Sequence, residues 1–121
     1  MKYNTKGLNI LSTQLNDFIK QVGFDDNNIP LRLMLIISEI SEAFEAYQKN
    51  NYYNKTEPDD TCNWKEWFEI NCKDTFEDEI AGAIIRLLDL CGKLQIDIET
   101  QIEMKMKYNE LRGFKYGGKK F

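Results

Sequence analysis

Apolar residues recur every three or four positions over most of this chain, and one long polar stretch interrupts them. The first periodic segment runs from about Thr5 to Val22 and sets Leu8, Leu11, Leu15, Phe18, Ile19 and Val22 at helix-compatible spacing. Glycine, acids and asparagines in "GFDDNNIP" then end it. Pro30 suits the first turn of a second helix, where its missing N–H is no loss, and that helix is expected to reach about Lys49. Residues 50–73 break the pattern, because asparagines, Pro58 and the pair Asp59 and Asp60 favour loop. Within them "WKEWFEI" is read as either a short helix or a docking segment. A third helix begins at "DTFEDE", where Asp74 and Glu77 have capping-box spacing, and is expected to stop near Cys91 and Gly92. Asp97 is placed to cap a fourth helix that Gly113 terminates. With no strand-like alternation and no internal repeat, the expected fold is all-α: one four-helix bundle-like domain over residues 1–121. It carries an irregular insert at about 50–73 and a basic C-terminal tail at about 113–121.

At about 100° per residue, Leu33, Ile36, Ile40, Ala43, Phe44 and Tyr47 form the apolar arc of the second helix. Glu39 lies at the edge of that arc, Glu42 follows on the same side, and Glu45 points further toward water. On the third helix Ile80, Ile84, Leu87, Leu88 and Cys91 make the apolar face. Glu79 borders it, and Gly82, Arg86 and Asp89 continue the stripe on the Glu79 side. Gly82 is the odd member, since a glycine inside a helix costs about 1 kcal/mol relative to alanine.

Two helices that each hold acids at a core boundary admit two readings. The acids are solvated edge residues pairing with Arg86 or Arg32, or they surround a cation, because a buried ionised carboxylate is costly unless paired or coordinated. The chain has no histidine, so an oxygen-only site would take Mg²⁺, with Mn²⁺ as a substitute, rather than zinc. Histidine-based catalysis is excluded on the same ground. A net charge of -4 makes a nucleic-acid partner unexpected, although the C-terminal end is basic. Cys62, Cys72 and Cys91 lack metal or redox spacing and read as free thiols of a reducing, cytoplasmic environment. Neither a secretory signal nor a membrane partner is expected.

Three segments, "LIISEISEAFEAY", "FEDEIAGAIIRLLDLCGKLQIDIE" and "KMKYNELRGFKYGGKKF", together resemble the MazG-like all-α nucleoside triphosphate pyrophosphatases. That family's pattern is Glu-Glu-x-x-Glu on one helix and Glu-x-x-Asp on the next, binding Mg²⁺. Glu39 and Glu42 match the second and third acids of the first motif, and Glu79 matches the first acid of the second. Ser38 and Gly82 stand where the two remaining acids would be. The resemblance implies that Glu39, Glu42 and Glu79 hold metal and act in catalysis, with Asp89 as an accessory ligand farther along the helix. It also implies Lys105, Asn109 and Arg112, and Lys119 in the tail, as phosphate-binding residues. Lys105, Asn109 and Arg112 share one helix face, which from the residues alone is equally a solvated basic helix end. Tyr116 replaces the family's tail histidine. Trp64, Trp67 and Phe68 either plug the bundle end or offer a surface on which a base stacks.

The expected activity is Mg²⁺-dependent hydrolysis of a nucleoside triphosphate to monophosphate and pyrophosphate, in nucleotide-pool sanitising or dNTP control. The chain is expected to assemble as a homodimer or homotetramer. The alternative, which Ser38, Gly82 and Tyr116 favour, is a non-catalytic member that binds nucleotide or acts as an oligomeric interaction protein.

Overall fold

The computed structural model describes residues 3–24 and 27–112. The basic tail, with Tyr116 and Lys119, lies outside the described residues. Among them the chain is all-α, with no strand and five helices rather than four: α1 (Leu8–Gln21), α2 (Ile29–Gln48), α3 (Trp64–Asn71), α4 (Phe76–Lys93) and α5 (Ile98–Arg112). The extra helix is "WKEWFEI" itself, started by the Asn63 side chain, which accepts from the Glu66 N–H at 3.2 Å. No helix among the described residues is long and apolar enough to cross a membrane. The structure divides into two compact units, residues 26–87 and residues 1–25 with 88–121, and α4 runs from one into the other.

In the unit of residues 26–87, Asn28 caps α2 by accepting from the Leu31 N–H at 3.0 Å, and proline sits in the first turn as expected. The helix ends where Asn50 takes a left-handed φ of 54° and the Asn51 N–H returns to the Ala46 carbonyl at 2.9 Å. The start of α4 is fastened to the segment that follows α2. The Phe76 N–H donates to the Asn51 carbonyl at 2.8 Å, the Tyr53 N–H to Glu77 Oε1 at 3.0 Å, and the Phe76 ring packs edge-on to Tyr52. The expected capping pair is displaced by one residue. Thr75 Oγ1 accepts from the Asp78 N–H at 3.2 Å, and the Asp78 carboxylate reaches back to the Asp74 N–H at 2.9 Å. Asp74 therefore precedes the cap, with φ at 65°, and Glu77 serves Tyr53 instead.

The buried face of α2 is made by Ile36, Ala43 and Ala46 with Arg32, and that of α4 in this unit by Ala83 with Glu79. Leu33, Ile40, Phe44 and Tyr47, which the apolar arc assigns to the core, are exposed, as are Ile80, Ile84 and Leu87. Apart from Ile36, the buried apolar residues of these two faces are alanines, and the larger members of the arcs in this unit are exposed.

In the other unit the face of α1 that is buried is polar: Ser12 and Asn16, with Thr5 just before the helix, rather than the leucines. Asn16 Nδ2 donates to Asp89 Oδ1 at 3.0 Å, and Thr5 Oγ1 donates to Glu103 Oε1 at 3.0 Å. Asn9 ties α1 to the start of α5. Its Oδ1 accepts from the Ile98 and Glu99 N–H groups at 3.0 and 3.3 Å, and its Nδ2 donates to Asp97 Oδ1 at 2.9 Å. Asp97 also accepts from the Thr100 N–H at 3.1 Å, the cap that the sequence implies. Gly92 does not stop α4. The helix continues to Lys93 and closes where Gln95 takes a φ of 55° and the Ile96 N–H bonds to the Cys91 carbonyl at 2.9 Å. A Cβ on Gly92 would press on the Ser12 carbonyl oxygen and come within 2.8 Å of its carbon, so the glycine is there for the close approach of α1.

Candidate functional site

Glu39, Glu42 and Glu79 come together in the unit of residues 26–87. Each offers a carboxylate oxygen, and the three oxygens lie within 4.8 Å of one another. Glu39 and Glu42 project from successive turns of α2, while Glu79 projects from the first turn of α4, held there by the Thr75 cap. Glu79 is 6% exposed, whereas Glu42 is open to solvent and Glu39 is intermediate.

Burial raises the Glu79 carboxyl from 4.5 to about 8, and its hydrogen bonds to Glu39 and Glu42, together with their charges, push it the same way. The amino-terminal position on α4 favours a negative charge and works against that shift without cancelling it. At neutral pH the fold thus favours the protonated form of Glu79.

Position 82 faces this cluster. A Cβ there would lie 2.7 Å from Glu39 Oε2 and 3.1 Å from Glu39 Cδ. One turn later on α4, Arg86 Nε donates to Glu39 Oε1 at 3.0 Å, the pairing that the solvated-edge reading anticipates. The arginine pairing of the solvated-edge reading is thus present for Glu39, while Glu79 is buried beside two further carboxylates.

A cavity of about 440 Å³ opens beside the cluster and is lined by Glu39, Glu42 and Glu79 on one side and by α3 on the other. From α3 come Trp64 and Phe68, stacked with ring centroids 5.3 Å apart and planes 19° from parallel, and Lys65. Lys73 lies just beyond the helix on the same cavity. The aromatic pair forms part of the cavity wall. Sequence reasoning missed Lys65 and Lys73, because only the aromatics of "WKEWFEI", read as a short helix or a docking segment, were singled out. It also missed a second carboxylate group, Asp74, Asp78 and Glu79, which shares Glu79 with the first. The only signal for it was the density of acids around the start of α4.

Asp89 is not part of either carboxylate group. It belongs to the other unit, where it is buried and accepts from Asn16. Lys105, Asn109 and Arg112 are also described with that unit, on α5. The Lys105 ammonium lies 6.0 Å from the Tyr108 ring centroid and the Arg112 guanidinium 4.8 Å from it. Asn109 Oδ1 is buried and has no hydrogen-bond partner. The three cysteines are free thiols, as expected. No protein-family model, curated protein or solved structure matches the chain.

Proposed function

We propose that this chain binds a divalent cation, Mg²⁺ or Mn²⁺, at Glu39, Glu42 and Glu79 and hydrolyses a nucleoside triphosphate to monophosphate and pyrophosphate. The observation that carries the reading is Glu79, a carboxylate buried against two others with its pKa at about 8. Such a group is expensive to ionise without a cation and is well suited to one, and an all-oxygen donor set fits a hard ion. Desolvated carboxylates beside a cavity are also where function concentrates. The motif resemblance supplies the reaction class.

When bound, the cation offsets phosphate charge and provides a water of lowered pKa for attack on the α-phosphorus. The chain's own residues do the remaining work. Glu39, Glu42 and Glu79 would hold the cation through their carboxylate oxygens, and Glu79 would lose its proton as the cation binds. Lys65, 3.9 Å from Glu69, and Lys73 are the cations of a cavity whose other charged lining residues are acids and are the proposed contacts for phosphate oxygens, and Trp64 with Phe68 presents a flat apolar wall for a base. Asp89 and, on α5, Lys105, Asn109 and Arg112, which the resemblance implies as accessory ligand and phosphate contacts, belong to the other unit, and Lys119 lies outside the described residues, so this reading rests on residues 26–87 alone.

Assembly belongs to the same proposal. Leu33, Ile40 and Phe44 on α2 and Ile84 on α4 are each about half exposed, at 46%, 52%, 60% and 51%. They share the unit that holds the carboxylates, and a second copy of the chain is the proposed cover for them.

The test is a panel of triphosphates with Mg²⁺. Pyrophosphate, not orthophosphate, is expected as the co-product. Orthophosphate release, or no turnover on any member, would refute the hydrolase. Nucleotide binding without turnover would favour the second reading, a non-catalytic nucleotide-binding or interaction protein, for which Gly82 and Ser38 remain the specific observations.

A further inference from the structure

Gly82 and Arg86 lie one turn apart on α4, and the Glu39 carboxylate of α2 rests on both. Its Oε2 occupies the place where a Cβ of residue 82 would intrude, and its Oε1 is held by Arg86 Nε at 3.0 Å. Glu79 stands one turn before Gly82 on the same helix. The sequence leaves an apparent gap at position 82, but that space is filled by a carboxylate from the neighbouring helix.

The geometry points to Gly82 and Arg86 as positioning residues that together form a seat for Glu39 as a cation ligand, a claim that rests on the metal-dependent reading above. Gly82 contributes by having no side chain, because any Cβ displaces the carboxylate from the α4 surface. Arg86 contributes by holding one oxygen, which fixes the carboxylate plane through a directed N–H bond. Glu39, which keeps its own place in the first motif, thus reaches into the space beside position 82, and in the proposed seat this placement depends on glycine there. Outer groups that orient ligand carboxylates commonly change metal affinity by about 10–100-fold when removed.

The consequence runs against two simpler expectations. If position 82 merely lacked a ligand, Gly82→Asp would tighten cation binding. If Arg86 merely neutralised Glu39, Arg86→Gln would free a negative charge and also tighten it. The seat predicts the opposite sign for both.

The experiment measures Mn²⁺ binding by electron paramagnetic resonance on the full chain, comparing wild type with Gly82→Ala, Gly82→Asp and Arg86→Gln. Cation-free thermal melts are recorded in parallel. Binding should weaken by about tenfold or more in each variant. The cation-free melt of Gly82→Ala should hold or rise, because alanine favours the helix and the Glu39 side chain can swing aside. If Gly82→Ala fails to fold, Arg86→Gln alone decides the sign. Unchanged or tighter Mn²⁺ binding in Arg86→Gln or Gly82→Asp overturns the seat while leaving the metal reading in place. No Mn²⁺ binding by the wild type overturns the metal reading itself, and the seat with it.

Discussion

Burial and charge compete at Glu79, and the outcome sets the pH at which the cluster can act. Its carboxyl moves from 4.5 in the unfolded chain to about 8 in the fold, so between those values the folded state keeps a proton that the unfolded state has lost. Stability contributed by this proton is complete below about pH 4.5 and is lost as pH rises through about 8. The magnitude is on the order of a few kcal/mol. The melting temperature without cation should therefore fall across that window and level off above it. Glu79→Gln should remove the fall and raise the melting temperature at pH 8. Added Mg²⁺ should act in the reverse sense, stabilising the wild type more as pH rises, because ligands bind deprotonated. A flat melting profile in the wild type would contradict the burial argument. The three acids themselves were legible in the sequence, since their spacing on two helices put them on adjoining faces. The role of Gly82 was not. A missing side chain leaves no trace of what fills its place, and only the Glu39 carboxylate at 2.7 Å from the absent Cβ reveals it.

Among the elements, α4 carries two glycines that both mark close approaches, Gly82 to a side chain and Gly92 to a backbone. The difference predicts different costs. Glu39 can rotate away from a Cβ, but the Ser12 carbonyl belongs to the α1 backbone and cannot. Gly92→Ala should lose roughly 2 kcal/mol through overpacking despite its gain in helix propensity, seen as a drop of several degrees in melting temperature. Asn9→Ala should lose about 1–2 kcal/mol, because two N–H groups at the start of α5 lose their acceptor. Chemical denaturation of each variant measures both values, and a wild-type midpoint in either would show that the contact does not restrain the fold. Helix existence was readable from the period of the apolar residues, and Pro30 and Asp97 marked starts that the structure keeps. The inner faces were not readable in the same way. Periodicity finds an apolar arc, yet Ile36, Ala43, Ala46 and Ala83 are inside while Leu33, Phe44 and Ile84 are outside, and on α1 the inside is Ser12 and Asn16. Hydropathy does not distinguish a residue that packs within one chain from one kept for another surface. The helix α3 was obscured because its eight residues are too few to show a period amid polar neighbours.

For the whole molecule, the proposed assembly has a second copy covering the large apolar residues left outside on α2 and α4. Covering a Leu, Ile or Phe side chain is worth about 1.5–3 kcal/mol, so a stripe containing several can sustain a dimer at micromolar concentration. Light scattering should give a mass of at least two chains, and Ile40→Asp should shift it toward one. A wild-type monomer would contradict the assembly. The claim on which the account depends is chemical: water attacks the α-phosphorus of a nucleoside triphosphate under the control of Glu39, Glu42 and Glu79. Hydrolysis in ¹⁸O-labelled water with Mg²⁺ tests it most directly. The account predicts the label in the monophosphate, unlabelled pyrophosphate, and loss of the reaction in Glu79→Gln. Label in pyrophosphate or orthophosphate, or turnover that survives Glu79→Gln unchanged, would contradict it.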